Sequence, residues 1–288
     1  MDSSPLVVIV GETGSGKSAL GLDLARQFNG EIIAADSRTI YKGMDIATAK
    51  PSQTERAEIP HHVLDIVEPD EPFTVADFKR LAVEAVKDIA SRGKLPIMVG
   101  GSGLYVDSVV FDYNFGPPAD AKRRTALNDQ ELPELQKQAK TLGISENDVN
   151  FHNKRHLIRA IENGGVIKQA RALRPNTLMV GLQLNKQELV HRIHQRIEEM
   201  FQAGLIDEIE VLAAKYGWGS EAMTGVGYKA FRPYLDGKIT LAEAKLLFEK
   251  GDLGLAKKQR TWFKRNKYIH WLDDPYKAVA IVTTFLNT

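Results

Sequence analysis

Eight residues near the start of the chain have the types and the spacing of a phosphate-binding loop: GETGSGKS, from Gly11 to Ser18. Glycines at this spacing let consecutive backbone N–H groups turn toward one anion, and a following helix adds the positive end of its dipole. Lys17 supplies a mobile cation, and Ser18 supplies a hydroxyl that can ligate Mg²⁺. The segment predicts a di- or triphosphate site formed by Gly11, Thr13, Gly14, Ser15, Gly16, Lys17 and Ser18.

Asp36 is the second residue whose position suggests chemistry. It follows an apolar run that predicts the strand after the loop's helix, and ligands of open α/β sheets bind beyond the carboxyl ends of the strands. Its carboxylate should therefore face the bound phosphates. Three roles remain open on position alone: a structural cap or ion pair, a Mg²⁺ ligand, or a general base that activates an acceptor.

Alternating strand and helix signals surround these residues. Predicted strands cover 6–10, 31–35, 95–99 and 177–184, and a short strand-like run, YIHWL, lies near the end. The pattern predicts an α/β fold, a P-loop-containing doubly wound parallel sheet. Most of the C-terminal part predicts helices, at 186–201, 205–216, 241–250 and 253–265.

The middle of the chain has a different character. Between Gly116 and about residue 176 there are charge-rich helical stretches and no convincing strand. We predict a small helical insertion domain at 116–176, within a P-loop catalytic core formed by 1–115 and 177–288.

Composition narrows the class of protein. The 288 residues include no cysteine, which excludes disulfides, thiolate zinc sites and a cysteine nucleophile. The formal net charge is only +1, so any nucleic-acid site must be local rather than a general polycationic surface. The apolar run at the start is too short for a signal peptide or a membrane span, and these features predict a cytoplasmic protein without a membrane partner.

Longer blocks carry a resemblance to a known family. They are the loop GETGSGKS, then ADSRTIYKGMDIATAKP, PHHVLDIVEP, VGGSGLY, TGVGYKAF and LAKKQRTWFKR, in that order from residue 6 to about residue 272. Together they resemble the tRNA dimethylallyltransferase family, also called tRNA isopentenyltransferases, in its bacterial form without an appended cysteine zinc finger.

The resemblance implies transfer of a dimethylallyl group from dimethylallyl diphosphate to N6 of the adenosine 3′-adjacent to the anticodon. It implies that the phosphate-binding loop holds the donor's diphosphate with Mg²⁺ on Ser18, and that Arg196 clamps the same diphosphate. It also implies that Asp36 takes the proton from N6. An adenine amine is a weak nucleophile, and such a base together with charge neutralisation at the leaving group suits the reaction.

The resemblance further implies segments that contact tRNA, the partner, at its anticodon stem-loop. By position these are Asp36, Ser37, Arg38, Thr39, Ser102, Arg124, Arg155, Arg159, Thr224, Gly225, Val226, Gly227, Tyr228 and Lys229. The segment 257–267 adds basic residues, of which Lys257, Lys258 and Arg260 are the predicted phosphate contacts. Trp262 and Phe263 lie between them, and we interpret both as the core face of a helix rather than as base-stacking residues.

Some positions depart from the family's pattern. Thr39 stands where many members carry Gln, His156 where Arg is common, and Ser102 where Thr is usual. Other functions remain possible at this stage: an adenylate isopentenyltransferase acting on free AMP, ADP or ATP, a P-loop small-molecule kinase, or an RNA-binding module gated by nucleotide. Nothing in the sequence demands an obligatory protein partner, and a monomer is expected.

Overall fold

The computed structural model describes residues 4–116, 120–166, 169 and 172–288. Within these ranges one all-parallel sheet has the strand order β3-β2-β4-β1-β5-β6. Its strands are β1 (Leu6–Gly11), β2 (Gly30–Ala34), β3 (His61–His62), β4 (Leu95–Gly100), β5 (Thr177–Leu182) and β6 (Ile269–Leu272). The predicted α/β class is confirmed, and each strand predicted from an apolar run is present to within two residues. Only the two-residue β3 was missed.

Helices connect the strands and surround the sheet. In the core they are α1 (Lys17–Gln27), α2 (Gln53–Glu58), α3 (Val75–Ser91), α4 (Gly103–Val110), α8 (Lys186–Gln202), α9 (Leu205–Tyr216), α10 (Val226–Leu235), α11 (Leu241–Phe263) and α12 (Lys277–Leu286). A single 3₁₀ turn, Ala222–Thr224, precedes α10. Those between residues 121 and 162 are α5 (Ala121–Asn128), α6 (Leu132–Thr141) and α7 (Lys154–Glu162). No helix of the described ranges is both long enough and apolar enough to cross a membrane.

Both faces of the sheet are buried. Alternate strand residues such as Val7, Ile97 and Val180 pack with α1 and α12 in one apolar cluster. The intervening residues, such as Val8 and Met98, are equally buried, and α3, α4 and α11 also contact the sheet. Helices on both faces explain why the strands are continuously apolar rather than alternating.

The last long helix corrects the sequence prediction. Two helices were expected, at 241–250 and 253–265. The structure has one helix, α11. A Cβ at position 251 would lie 2.4 Å from Val226 Cγ1, so Gly251 allows α10 to pack closely against α11 rather than ending the helix.

Two compact units divide the chain. The first comprises Met1–Val110 and Leu173–Thr288, and the second comprises Phe111–Ala172. The predicted insertion, 116–176, therefore lies a few residues too late at both ends. The later boundary falls before Arg174, which donates to the carbonyl oxygens of Ser4 and Val110 in the first unit. The second unit has its own apolar core, which includes Leu127, Leu135, Phe151 and Leu157.

Candidate active site

A cleft of about 1000 Å³ opens in the first unit at the carboxyl ends of the strands. The loops after β1, β2 and β4 line it, and side chains from α8, α10 and α11 complete its walls. In a parallel sheet the loops that follow the carboxyl ends of the strands all lie at the same edge. Open α/β sheets bind their ligands at that edge. The cleft therefore lies where the sequence placed the chemistry.

The loop after β1 has the conformation that its glycines predict. Gly14 and Gly16 have φ values of 79° and 89°, in the left-handed region that favours glycine. Gly16 is also the N-cap of α1, and no side chain caps the helix there. Ser15 contributes a buried hydroxyl for which the described residues offer no hydrogen-bond partner. Uncapped N–H groups and a spare hydroxyl fit an anion such as phosphate.

Helix α11 holds this loop in place. Gln259 accepts a hydrogen bond from the Thr13 amide at 2.7 Å, and Arg260 forms a bidentate ion pair with the buried carboxylate of Glu12. Arg260 also donates to the Leu184 carbonyl at 3.2 Å. The sequence suggested Arg260 as a phosphate contact for tRNA, but its guanidinium is engaged by the phosphate-binding loop. Neither Glu12 nor Gln259 was identified from the sequence, because a loop motif does not indicate what supports it.

Lys17 lies in the cleft with its ammonium donating to the Glu12 carbonyl at 3.3 Å. Burial, with a smaller contribution from the Arg196 guanidinium, lowers the pKa of Lys17 to about 8, although the carboxylate of Asp36 opposes both effects. The lysine is therefore charged at neutral pH but close to its titration range. A bound polyanion would restore the charge, since a nearby negative group favours the ammonium.

Arg196 reaches the same loop from α8. Its Nη1 donates to Thr13 Oγ1 at 2.8 Å, and its Nη2 pairs with Asp252 on α11. Burial raises the pKa of Asp252, whereas the pairing with Arg196 opposes that shift. One turn earlier on α8, Arg192 also lines the cleft; its i, i+4 spacing to Arg196 is a signal that the sequence reading overlooked.

Asp36 lies just beyond the end of β2 and lines the cleft. Its Oδ1 accepts a hydrogen bond from the Arg38 amide at 2.8 Å, so the carboxylate closes a local turn. The loop after β4 supports this turn, because Ser102 Oγ accepts from the Ser37 amide at 2.9 Å. Gly100 is required here, since a Cβ would lie 2.0 Å from the Ala35 carbonyl oxygen.

The segment 224–229 meets the loop after β2 through Arg38. The Arg38 guanidinium donates to Thr224 Oγ1 at 3.1 Å and to the Glu221 carbonyl at 2.6 Å. The cleft-lining residues of this segment are Thr224, Gly225, Val226, Gly227 and Tyr228. Lys229 is exposed and does not line the cleft. Thr39, another predicted contact, is 7% exposed and also lines it.

The basic segment on α11 divides by helix face. Lys257 and Lys258 are exposed, and Lys258 lines the cleft. Phe263 is buried, as predicted, but the prediction that Trp262 belongs to the core face is wrong. Trp262 is 38% exposed, lines the cleft, and donates its indole N–H to Asp107 at 2.9 Å. The absence of a Cβ on Gly103 makes room for this ring, since one there would lie 2.3 Å from Trp262 Cδ1.

Three predicted tRNA contacts belong to the second unit. Arg124 and Arg159 both pair with the buried carboxylate of Glu162, and Arg159 also donates to the Phe115 carbonyl. Arg155 is exposed on α7. Two of the three arginines therefore help to hold their own unit together, a role that the sequence did not indicate.

Within the described ranges no group of three or more His, Asp or Glu side chains could hold a metal ion. Ser18, the last residue of the phosphate-binding loop, lines the cleft. Mg²⁺ commonly takes one or two protein oxygens and completes its shell with phosphate oxygens and water. The side chains of the described ranges therefore fit a metal that arrives with a diphosphate rather than one held by protein side chains alone.

A parallel sheet whose β1 ends in a glycine-rich loop that opens a helix defines the class of P-loop α/β proteins. The IPP transferase family model matches residues 39–266 of the chain. The chain belongs to this family. A tRNA dimethylallyltransferase of Roseiflexus sp. is 41% identical over 91% of this chain and 90% of its own.

Solved structures of similar proteins support the family assignment. The tRNA isopentenylpyrophosphate transferase of Bacillus halodurans is 36% identical and has a TM-score of 0.75, covering 99% of this chain and 96% of its own. A eukaryotic dimethylallyltransferase acting on tRNA is 26% identical with a TM-score of 0.84, covering 99% of this chain and 80% of its own.

Proposed function

We propose that this protein transfers the dimethylallyl group of dimethylallyl diphosphate to N6 of the adenosine 3′-adjacent to the anticodon of tRNA, with release of diphosphate. The observation that carries the proposal is that one cleft contains both a phosphate-binding loop and the Asp36 carboxylate. Relatives at about 40% identity over most of the chain are tRNA dimethylallyltransferases, which supports the same reaction.

The leaving group would occupy the loop after β1. Within the loop 11–16, the backbone N–H groups of Gly14 and Gly16, which line the cleft, would meet its oxygens, and Lys17 and Arg196 would neutralise its charge. Ser18 would hold Mg²⁺ together with diphosphate oxygens, and the ion would stabilise the charge that develops as the bond to the prenyl carbon breaks. These groups act on the donor side of the cleft.

The acceptor would approach Asp36. A bond forms between N6 and the prenyl carbon while the bond from that carbon to the diphosphate oxygen breaks. The electron pair of the broken bond leaves with the diphosphate, and the proton from N6 passes to the Asp36 carboxylate. The turn that Arg38 and Ser102 maintain holds this carboxylate at the cleft, so the base is oriented before the acceptor arrives.

The tRNA would contact the cleft rim and the second unit. Exposed or cleft-lining groups support this, and the proposed set comprises Asp36, Ser37, Arg38, Thr39, Ser102, Arg155, the segment 224–229, Lys257 and Lys258. Arg124, Arg159 and Arg260 already pair with protein carboxylates, and each could offer only its remaining N–H donors to phosphate. Action on tRNA agrees with the cytoplasmic location predicted from the sequence.

A product assay tests the proposal. The protein is incubated with Mg²⁺, dimethylallyl diphosphate and either an unmodified anticodon stem-loop or free AMP. The mass of each acceptor is then measured by mass spectrometry. A C5H8 addition to the stem-loop alone is expected. Addition to AMP alone would instead indicate an adenylate isopentenyltransferase.

The salt dependence of stem-loop binding tests the proposed phosphate contacts. Affinity for the stem-loop should fall steeply as salt rises, because Lys and Arg contacts to phosphate release counterions. Affinity that does not change with salt would contradict the proposed role of Lys257 and Lys258.

A further inference from the structure

Glu208, on α9, makes an unusual set of contacts with the backbone of the segment after β2. Its Oε2 accepts hydrogen bonds from the amides of Asp45 at 2.8 Å and Ile46 at 2.6 Å. Its Oε1 accepts from the next amide, Ala47, at 3.0 Å. Three consecutive N–H groups therefore converge on one side chain, in a segment that belongs to no helix or strand.

A fourth hydrogen bond fills the last acceptor site of the Glu208 carboxylate. The Tyr228 hydroxyl donates to Glu208 Oε1 at 2.9 Å, and Tyr228 is only 1% exposed. Burial raises the pKa of this hydroxyl, and the adjacent carboxylate raises it further, so the tyrosine remains a donor. A carboxylate has about four lone-pair sites, and here all four have a partner.

The same segment is fastened from its other side by Lys50. The side chain of Lys50 is fully buried, and its ammonium donates to the Tyr41 carbonyl at 2.6 Å and to Asp45 Oδ1 at 2.9 Å. Ala49 has a φ of 52°, a conformation that a non-glycine residue adopts only when its surroundings impose it. The Ala49 amide donates to the Ile46 carbonyl and the Lys50 amide donates to the Asp45 carbonyl, both at 3.0 Å, so the turn at Ala49 is built on the residues that Glu208 and Lys50 hold.

The fastened segment forms a wall of the cleft. Residues 47–51 all line the cavity, whereas Glu208 does not. Gly227 lets α10 pack directly on this wall, since a Cβ there would lie 3.3 Å from Ala47 Cβ. A displacement of the wall would therefore alter the acceptor side, where Asp36 and the segment 224–229 lie, before it reached the phosphate-binding loop.

We propose that Glu208 is a positioning residue for the acceptor. It fixes the wall 45–51 to Tyr228 on α10, so that the incoming nucleotide meets a preformed surface. The inference rests on the proposed function, and it concerns a residue that touches neither substrate. Preorganised walls lower the ordering cost of binding, so its loss should weaken acceptor binding more than donor binding.

Steady-state kinetics with both substrates, combined with hydrogen exchange, test this proposal. In Glu208→Ala we expect the KM for the stem-loop to rise about tenfold or more, because the wall is no longer preorganised. The KM for dimethylallyl diphosphate should stay within about twofold. The amides of Asp45, Ile46 and Ala47 should exchange faster, while strand amides of β1 and β4 keep their protection.

A conservative variant separates positioning from folding. Glu208→Gln keeps one carbonyl acceptor, so its KM for the stem-loop should lie between the values of the wild type and Glu208→Ala. Glu210→Ala, on the exposed part of the same helix, is the matched control and should change neither KM. Should Glu208→Ala fail to fold, the two KM values of Glu208→Gln are compared with those of the wild type instead.

Two results would overturn the inference. One is faster exchange at 45–47 with an unchanged KM for the stem-loop, and the other is an equal rise in both KM values. Absence of product with the wild-type protein would instead refute the proposed function, so the two failures are distinguishable.

Discussion

The loops after β1 and β2 face the same cleft but are held by different interactions. The first depends on buried charges: Glu12 pairs with Arg260, and Asp252 orients Arg196 toward Thr13. The second is held largely through its backbone, because Glu208 receives three amides and Arg38 donates to the Glu221 carbonyl, and Lys50 adds an ion pair with Asp45. The first loop is therefore held mainly by ion pairs between side chains, whereas the second combines an ion pair with several hydrogen bonds to its backbone.

This difference matches what each loop must do. Charged groups around the first loop can both hold it and neutralise a diphosphate, so structure and binding share the same side chains. The second loop presents the carboxylate that we propose as the base, and additional cations beside it would compete for that carboxylate. Substitutions in the first region should therefore alter stability and donor affinity, whereas those in the second should alter turnover and acceptor binding.

The largest expected effect concerns the ion pair beneath the first loop. Arg260→Ala leaves the Glu12 carboxylate buried without its partner, and we expect the free energy of unfolding to fall by about 3 kcal/mol. Urea denaturation followed by circular dichroism measures the change. Lys257→Ala, an exposed residue of the same helix, should change stability by less than about 0.5 kcal/mol. Equal effects of the two variants would mean that the ion pair does not hold the loop.

Removal of the proposed base should affect turnover rather than binding. Asp36→Ala is expected to lower kcat about 100-fold, the scale of a lost general base. Pyrophosphate affinity, measured by calorimetry, should stay close to the wild-type value because the first loop is unchanged. Unchanged kcat would contradict the role of Asp36, and lost pyrophosphate binding would contradict the separation of the two loops.

Arg196 should matter mainly for the donor. Arg196→Lys keeps the charge but cannot contact Thr13 and Asp252 together, so we expect donor affinity to fall about 30-fold. Calorimetric titration with dimethylallyl diphosphate measures this. Arg80→Lys, an exposed arginine on α3 that pairs with Glu84, is the control and should bind the donor as the wild type does.

The smallest expected effect is a pH dependence of donor binding. Burial lowers the pKa of Lys17 to about 8, so the free protein loses this charge as pH rises through that value. At pH 9 only about a tenth of molecules carry the ammonium, and donor affinity should be about tenfold weaker than at pH 7. Lys17→Arg stays charged across this range. Its affinity should therefore not fall with pH, and an equal fall in both proteins would exclude Lys17 as the cause.

Much of the fold was predictable because its signals are local. Apolar runs such as 6–10 and 95–99 are typical of strands buried on both faces, and a glycine-rich loop has a fixed relation to the strand and helix beside it. Helix α11 was not predicted as one element, because Gly251 serves close packing with Val226, and the sequence does not distinguish that use from a helix end.

The role of a site residue was predictable where it depends on the residue type alone. The prediction failed where the role depends on which residue the side chain pairs with. Lys17 and Asp36 line the cleft as their positions in the sequence suggested. Arg124 and Arg260 look like exposed cations in the sequence, yet each faces a buried carboxylate distant along the chain. Trp262 is of a residue type that usually packs in a core, and the missing side chain of Gly103 makes room for its ring at the cleft.

The position of Trp262 gives the protein a built-in optical probe. Its indole lies in the cleft with the N–H fixed on Asp107, whereas Trp218 and Trp271 do not line the cavity. An indole's emission responds to the polarity and charge around it, and ligands that enter this cleft will change both. The two remaining tryptophans supply a constant background, so occupancy can be followed by fluorescence in the unlabelled chain.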